Sequence, residues 1–363
     1  MTPRPAPSTT AARRTPATVA LRVRATLATV LVTALVTGCS VRLETPSPSE
    51  PEPDSREVAR RAAVTDALDV AELARGLLVE TGTEEPPGPQ LARTVDAAAV
   101  HLEALGGVYD SGLVDPDGGE DVAVAPTSTP TSSPGAPEPE PSTTEVAGDP
   151  ATEDLAELVE RLSQGYSRSR GSLVTVPEAG LARLVASIGT AQLAQARTIA
   201  AAAGIPITPV DLPTTPTVPA ELPGVPAGTL VPLVALEDAA GYAFEVVAAR
   251  VGSEAERVAA SARADVHRDR AQAWAVAAGV AGTTSDPRAT VYALPPEVLS
   301  GEGATAHLGT LELGLADAYG TLLGSVAEDD RIAAADLLTD SYLSARTWGA
   351  APLFFPGMPE QRD

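Results

Sequence analysis

The sequence predicts an all-α fold, with a C-terminal four-helix bundle preceded by an N-terminal helical region. Apolar residues recur with steps of three and four along most of the chain, which is the spacing of one face of an α-helix. Two such patterns in the last third of the chain match each other at an offset of 75 residues. Proline-rich stretches separate the helical regions and indicate long linkers that are disordered.

Residues 1–38 are predicted to be a lipoprotein signal peptide that ends before Cys39, the only cysteine in the chain. Five arginines and no acidic residue precede an uncharged, largely apolar run over 25–37, which is the order of segments in an export signal. The segment Leu35-Val36-Thr37-Gly38-Cys39 resembles the lipobox of bacterial lipoproteins. That resemblance implies a covalent diacylglycerol group on the Cys39 sulfur. The alternative, a transmembrane anchor, needs about 20 apolar residues, more than this run contains.

The charge of the chain limits the partners it can have. The sequence contains 48 acidic and 25 basic residues, a net charge of -23. Loss of residues 1–38 would remove five arginines and no acid, leaving 20 against 48 and a net charge of -28. Such a surface repels nucleic acid and anionic lipid headgroups, so no nucleic-acid partner is expected. We expect attachment to the extracytoplasmic face of the cell membrane through the lipid on Cys39, and an envelope protein or a small ligand as the partner.

The N-terminal region is predicted to contain four helices in two segments, 55–112 and 151–203. Residues 39–54 are rich in proline and polar side chains and are expected to form a disordered tether. Residues 113–150 are acidic and rich in proline, serine and threonine, so they are expected to form a disordered insertion between the two segments.

Local signals indicate where these helices begin and end. Asp54 can cap the first helix, with Glu57 as its capping-box partner, and Gly82 ends that helix. Apolar residues at helical spacing predict the other helices over about 90–105, 152–164 and 178–203. His101 is expected to be a surface or half-buried residue, because no carboxylate or cysteine stands at a metal-ligand spacing from it.

The C-terminal bundle is predicted over 228–350, between a proline-rich linker at 204–227 and a tail at 351–363. One apolar seam consists of Leu233, Glu237, Ala240, Phe244, Val247 and Val251. A second consists of Leu308, Glu312, Leu315, Tyr319, Leu322 and Val326. The identical steps indicate a duplicated helical hairpin, and two such hairpins bury their seams against each other as a four-helix bundle. Trp274 and Trp348 are expected to pack at the ends of the bundle.

The glutamate within each seam needs a partner, because an isolated buried carboxylate is strongly destabilising or becomes protonated. Two kinds of partner are open. The first is a set of arginines, Arg263, Arg270 and Arg346, which are predicted to pair with the glutamates as part of the structural core. The second is a metal ion.

Five short motifs mark this C-terminal segment. They are Glu237-Asp238-Ala239-Ala240-x-Tyr242, His267-Arg268-x-Arg270, Tyr292-Ala293-Leu294-Pro295, Leu311-Glu312 with Ala318-Tyr319, and Phe355-Pro356-Gly357. Together they resemble the ferritin-like domain of unknown function found in lipoproteins of high-GC Gram-positive bacteria. The resemblance covers about the last third of the chain and implies a ferritin-like four-helix bundle.

The resemblance also implies positions for metal ligands. Ferritin-like proteins hold two metal ions with a glutamate on each of two helices and a Glu-x-x-His pair on each of the other two. Glu237, His267 and Glu312 match three of these six ligands. The other three positions are occupied by Ala264, Thr339 and Tyr342. The three matching residues could still hold a single iron or manganese ion.

The predicted function follows from this incomplete ligand set. We expect a non-enzymatic scaffold or binding module with no catalytic residue and no cofactor. The alternative is a metal-binding protein, with iron or manganese at Glu237, His267 and Glu312 and with redox or storage activity. A third hypothesis is capture of an apolar ligand between helices that do not close completely.

Overall fold

A computed structural model describes residues 50–111, 150–300 and 303–362. Cys39, the apolar run before it, residues 39–49 of the tether and residues 113–149 of the insertion lie outside these residues, so those assignments stay predictions. Every regular element in the described ranges is a helix, which confirms the all-α fold. None of these helices is long and apolar enough to span a membrane.

The N-terminal helices are α1 (Ser55–Thr81), α2 (Gly88–Ala104), α3 (Pro150–Ser172) and α4 (Ala179–Ala203). The C-terminal helices are α5 (Ala227–Ala248), α6 (Glu254–Ala277), the short α7 (Pro296–Ser300), α8 (Ala304–Leu323) and α9 (Arg331–Thr347). Short 3-10 turns lie at Glu328–Asp330 and Pro359–Gln361. Asp54 caps α1 as the sequence suggests, because its Oδ1 accepts a hydrogen bond from the Glu57 amide at 2.8 Å.

α3 extends beyond its predicted end at Gln164, although a glycine follows. Gly165 lies inside this helix, where a Cβ atom would stand only 2.5 Å from Oε1 of Gln192 on α4. The glycine therefore allows α3 and α4 to approach closely and does not end the helix. Sequence spacing alone gives no sign of this contact.

Helical hairpins are the repeating unit of the fold. α5 pairs with α6 and α8 with α9, and the two hairpins meet where α5 packs on α8. In the N-terminal region α1 pairs with α2 and α3 with α4. α4 joins the two regions, because it also packs on α8 and α9.

One apolar cluster contains residues from both regions. Leu173 and Val176, which follow α3, are buried together with Leu230, Trp274 and Leu337 of the bundle. The guanidinium group of Arg331 lies at the same contact and donates hydrogen bonds to the carbonyl oxygens of Leu173 and Val176. The N-terminal helices therefore complete the core of the bundle.

The segments on either side of the bundle also pack on helices. The linker has no helix over 204–226, but Pro216 and Leu222 within it are buried. The C-terminal tail contributes Phe355 and Met358 to a buried cluster with Ile188 of α4. The tail is thus part of the core.

The expectation of a surface or half-buried His101 is wrong, because only 2% of this residue is exposed. Its Nε2 lies 2.9 Å from the carbonyl oxygen of Phe354, and its ring packs on Phe355. Burial lowers the pKa of His101 to about 4, so the ring is neutral at pH 7 and donates from Nε2 to the carbonyl. The tail thus covers the face of α2 that carries this histidine.

Candidate functional site

Glu237, His267 and Glu312 meet in the centre of the bundle, where all three side chains are fully buried. His267 on α6 lies between the two carboxylates. Its Nδ1 is 2.6 Å from Glu237 Oε2 and its Nε2 is 3.2 Å from Glu312 Oε1. Burial lowers the pKa of His267, but the charges of Glu312 and Glu237 outweigh it, and the pKa is raised. Two facing carboxylates favour the imidazolium form, in which both nitrogens donate.

Glu312 is held by three side chains. Arg263 donates to both of its oxygens, from Nε at 2.5 Å and from Nη2 at 2.8 Å. Ser344 Oγ donates to Oε1 at 2.6 Å. Burial alone would raise the pKa of Glu312, but Arg263 and His267 lower it far below its ordinary value. Glu312 is therefore ionised in the apolar seam.

Glu237 has a different set of partners. The hydroxyl of Tyr319 donates to its Oε1, while His267 faces its Oε2. Nε1 of Trp274 in turn donates to the Tyr319 hydroxyl at 3.2 Å. Burial and then the charge of Glu237 raise the pKa of Tyr319 well above its ordinary value, so the tyrosine stays protonated and remains a donor.

Asp340 on α9 is a third carboxylate at this site. Its Oδ2 accepts from Arg263 Nη1 and from Arg270 Nη2, both at 2.7 Å. Arg270 Nη2 also donates to the carbonyl oxygen of Pro216 in the linker at 3.2 Å. We call the six ionisable groups Glu237, His267, Glu312, Arg263, Arg270 and Asp340 the charge network. With His267 protonated, its three positive and three negative charges balance.

The predicted arginine partners divide into three cases. Arg263 pairs with Glu312, whereas the direct carboxylate partner of Arg270 is Asp340 and not a glutamate. Arg346 does not pair with a seam glutamate, because its Nη1 donates to the carbonyl oxygen of Ala350 just beyond α9. A position near the end of α9 directs this side chain toward the following turn.

Tyr319, Ser344 and Asp340 are members of the site that sequence reasoning missed. Tyr319 is a seam residue at the position that matches Phe244 in the first hairpin. Its hydroxyl, which Phe244 lacks, is the sequence feature that indicates a polar contact. Asp340 lies between the buried residues Thr339 and Ser341, which indicates a carboxylate that faces inward.

The aromatic residues of the two hairpins form two pairs across the bundle. Trp274 lies 6.3 Å from Tyr319 between ring centroids, and Trp348 lies 5.5 Å from Phe244. Trp348 follows the last turn of α9, but Trp274 is fully buried and bonded to Tyr319, so it is not merely an end contact. The Phe244 ring packs on His267 at 5.0 Å, where Tyr319 instead presents a hydroxyl to Glu237. The two hairpins therefore differ at the network.

The donor atoms do not fit a metal ion in this arrangement. The two nitrogens of His267 point to different carboxylates, so one ion cannot contact both glutamates and the imidazole as they stand. Ala264 supplies no donor, while the Thr339 hydroxyl bonds to that of Thr190 at 2.8 Å. Within the described ranges, no group of three or more His, Cys, Asp or Glu side chains is placed to hold a metal.

A polar cleft of about 440 Å³ opens on one side of the charge network. Its lining includes Arg263, Asp340 and Ser344, together with Arg197 and residues 212–214 of the linker. A second cleft of about 230 Å³ lies between α2, α4 and α9. Arg93 and Arg346 are among its lining residues.

The comparisons with known proteins are limited to one family match. Residues 230–360 match the model of a family described as a domain of unknown function (DUF4439). The matched region contains all six members of the charge network. No curated protein and no solved structure matches the chain.

Proposed function

We propose that this chain is a lipid-anchored protein of the cell envelope that acts as a non-enzymatic scaffold or binding module. Its bundle is a ferritin-like bundle in which ion pairs have replaced the metal site. The position of His267 between Glu237 and Glu312 is the observation that carries this proposal. The lipid anchor is supported by the sequence around Cys39.

The charge balance explains how such a core is stable without metal. In a ferritin-like metal site, divalent ions neutralise the carboxylates that face the bundle interior. Here His267, Arg263 and Arg270 bring positive charge to the same region. Buried ion pairs are tolerated when further hydrogen bonds satisfy each group, and Tyr319 and Ser344 provide these for the two glutamates. The complete burial of the two glutamates and His267 also keeps them out of reach of a substrate, which supports a non-enzymatic role.

The alternative proposal is an iron- or manganese-binding protein with redox or storage activity. It is favoured by the meeting of Glu237, His267 and Glu312 from three different helices. This alternative requires His267 to turn and Arg263 to leave Glu312, so that the released oxygen and nitrogen atoms converge on one ion.

Metal content and thermal stability distinguish the two proposals. We expect the purified protein to retain no iron or manganese, and we expect Fe²⁺ or Mn²⁺ to leave its melting temperature unchanged. A rise in melting temperature with either ion, abolished separately by Glu237→Ala, His267→Ala and Glu312→Ala, would establish the metal site instead.

The lipid anchor has its own test. Cys39→Ser removes the only sulfur that can carry the lipid, so the exported variant is expected to leave the membrane fraction. If the variant is exported normally and stays in that fraction, the lipoprotein assignment is wrong.

A further inference from the structure

The cleft between α2, α4 and α9 has an unusual charge for this chain. It is lined by two arginines, Arg93 and Arg346, and by no acidic residue. The whole sequence, by contrast, has 48 acidic residues against 25 basic ones. The two arginines come from different helices, so this positive lining results from the tertiary fold.

Both guanidinium groups are held in place by the segment that follows α9. Arg93 donates from Nη2 to the carbonyl oxygen of Pro352 and lies over the ring of Phe354, 4.7 Å from its centroid. Arg346 donates to the carbonyl oxygen of Ala350. Among the described residues, no ion pair with a carboxylate neutralises either arginine, whereas Arg263, Arg268 and Arg270 each have one.

Tyr342 lines the cleft together with both arginines. The pKa of Tyr342 is raised because the residue is buried. The Leu353 backbone and the charges of Arg346 and Arg93 offset only part of this rise. The Tyr342 hydroxyl accepts a hydrogen bond from the Leu353 amide at 2.7 Å, which fixes this wall of the cleft.

The rest of the cleft is largely apolar and of limited size. Ala191, Ala194, Ile199 and Leu353 contribute apolar surface, and Oε1 of Gln90 is a buried polar atom without a protein partner. An engineered protein cavity of about 150 Å³ holds one benzene molecule. By proportion, a cleft of about 230 Å³ holds a ligand of roughly nine or ten non-hydrogen atoms.

We propose that this cleft binds a small amphiphilic carboxylate, with its carboxylate held by Arg93 and Arg346 and an apolar body of about seven carbons against Ala191, Ala194 and Leu353. Arginine suits this role because its planar group offers two parallel donors to a carboxylate. The inference rests on the proposed binding function and names the class of ligand.

Octanoate is a direct probe of this site, with octan-1-ol and octylammonium as matched neutral and cationic controls. We expect titration calorimetry on the full chain to show octanoate binding at least tenfold tighter than octan-1-ol, and no binding of octylammonium. Added salt is expected to weaken octanoate binding more than octan-1-ol binding, because only the carboxylate is screened.

Variants test the position of the site. Arg93→Gln and Arg346→Gln are each expected to weaken octanoate binding about tenfold. Arg161→Gln makes the same change of charge on α3, away from this cleft, and is expected to leave affinity unchanged. Thr198→Phe keeps both arginines but fills the cleft, so it is expected to abolish binding of octanoate and octan-1-ol alike. Melting temperatures of all four variants establish that they are folded.

Three results would overturn the inference. They are the absence of octanoate binding, equal affinity for octanoate and octan-1-ol, and equal octanoate affinity of Arg93→Gln, Arg346→Gln and Arg161→Gln. If the protein is free of metal and attached to the membrane but gives any of these results, only the ligand assignment is wrong. If the protein binds octanoate but also retains metal, the proposal of a metal-free core is wrong and the proposed binding site in the cleft stands.

Discussion

Glu312 is a carboxylate that stays ionised in an apolar seam because three side chains hydrogen-bond to it. Arg263 supplies two of these bonds and also bonds to Asp340. His267 and Ser344 supply the others. Arg263 therefore joins two carboxylates of the network, Glu312 and Asp340, and its removal takes this cation from both.

We expect Arg263→Ala to lower the free energy of unfolding by about 3–5 kcal/mol, because it leaves buried negative charge uncompensated. Glu312→Gln should cost less, since the amide keeps some of the hydrogen bonds. Arg161→Ala is the matched control: its side chain is 43% exposed and its pairs lie at the surface, so its expected cost is below about 1 kcal/mol. Urea unfolding at pH 7 measures all three. Equal losses for Arg263→Ala and Arg161→Ala would contradict this account.

His101 gives the protein a pH dependence of known sign. Its pKa falls from an ordinary value of about 6.5 to about 4 in the folded chain, because burial disfavours the charged ring. The unfolded chain therefore binds a proton more readily. The stabilisation by neutral His101 is complete above pH 6.5 and is lost as the pH falls toward 4.

Between pH 7 and pH 4.5 this single group is expected to remove about 2 kcal/mol of stability, since one pKa unit corresponds to about 1.4 kcal/mol. His101→Gln keeps a donor for the Phe354 carbonyl but does not titrate. The loss of stability over this pH range should therefore be about 2 kcal/mol smaller in His101→Gln than in the wild type, as measured by urea unfolding at the two pH values. Identical losses would show that His101 is not buried in the neutral form.

At the scale of the helices, the sequence predicts the seams well and the partners less well. Steps of three and four place Glu237 and Glu312 on buried faces, because the helical period alone determines which residues share a face. The same period does not determine how far each helix rotates or which rotamer a long side chain adopts. Asp340 and not a glutamate is therefore the partner of Arg270, and Arg346 bonds to a carbonyl.

The environment of His101 can be predicted from the sequence only in part. His101 follows Leu91, Thr94 and Ala98 at helical steps, so the spacing indicates that His101 lies on the same buried face. What the spacing could not indicate is that the C-terminal tail covers this face. Contacts between residues more than 250 positions apart depend on the packing of whole elements, which a local pattern does not contain.

Two of the three glycines of α8, Gly314 and Gly320, lie in contrasting environments and test the position of the tail. A Cβ atom at Gly320 would lie 2.1 Å from the carbonyl oxygen of Gly357, whereas Gly314 has no atom within 4 Å of its Cβ position. Gly320→Ala must therefore displace the tail, while Gly314→Ala meets only solvent.

We expect Gly320→Ala to destabilise the protein by about 1–3 kcal/mol, the range for overpacking in a core. Gly314→Ala is expected to stabilise it by up to about 1 kcal/mol, because alanine has the higher helix propensity. Thermal unfolding monitored by circular dichroism compares the two variants. A stabilised Gly320→Ala would mean that the tail does not pack against α8.

At the scale of the whole molecule, polar and apolar contacts join the N-terminal helices to the bundle. Arg170 of α3 donates to both oxygens of Asp336 on α9, at 2.7 and 2.9 Å. Ser187 of α4 donates to the carbonyl oxygen of Pro356 in the tail at 2.7 Å. Because these contacts lie beside the shared apolar cluster, neither region has a complete core alone.

The two regions are therefore expected to unfold in one cooperative transition, and the two tryptophans of the chain provide a local probe. Both Trp274 and Trp348 lie in the C-terminal bundle, so their fluorescence reports on that region alone. Leu158→Ala changes a fully buried residue of α3, in an apolar cluster formed by N-terminal residues and the start of the linker. Its expected cost in free energy of unfolding is about 2–5 kcal/mol.

If the two regions unfold together, Leu158→Ala lowers the urea midpoint measured by tryptophan fluorescence as much as the midpoint measured by far-ultraviolet circular dichroism. Val79→Ala, at a position of α1 that is 88% exposed, is the control and should shift neither midpoint. A fluorescence midpoint that stays at the wild-type value in Leu158→Ala would show that the bundle unfolds independently.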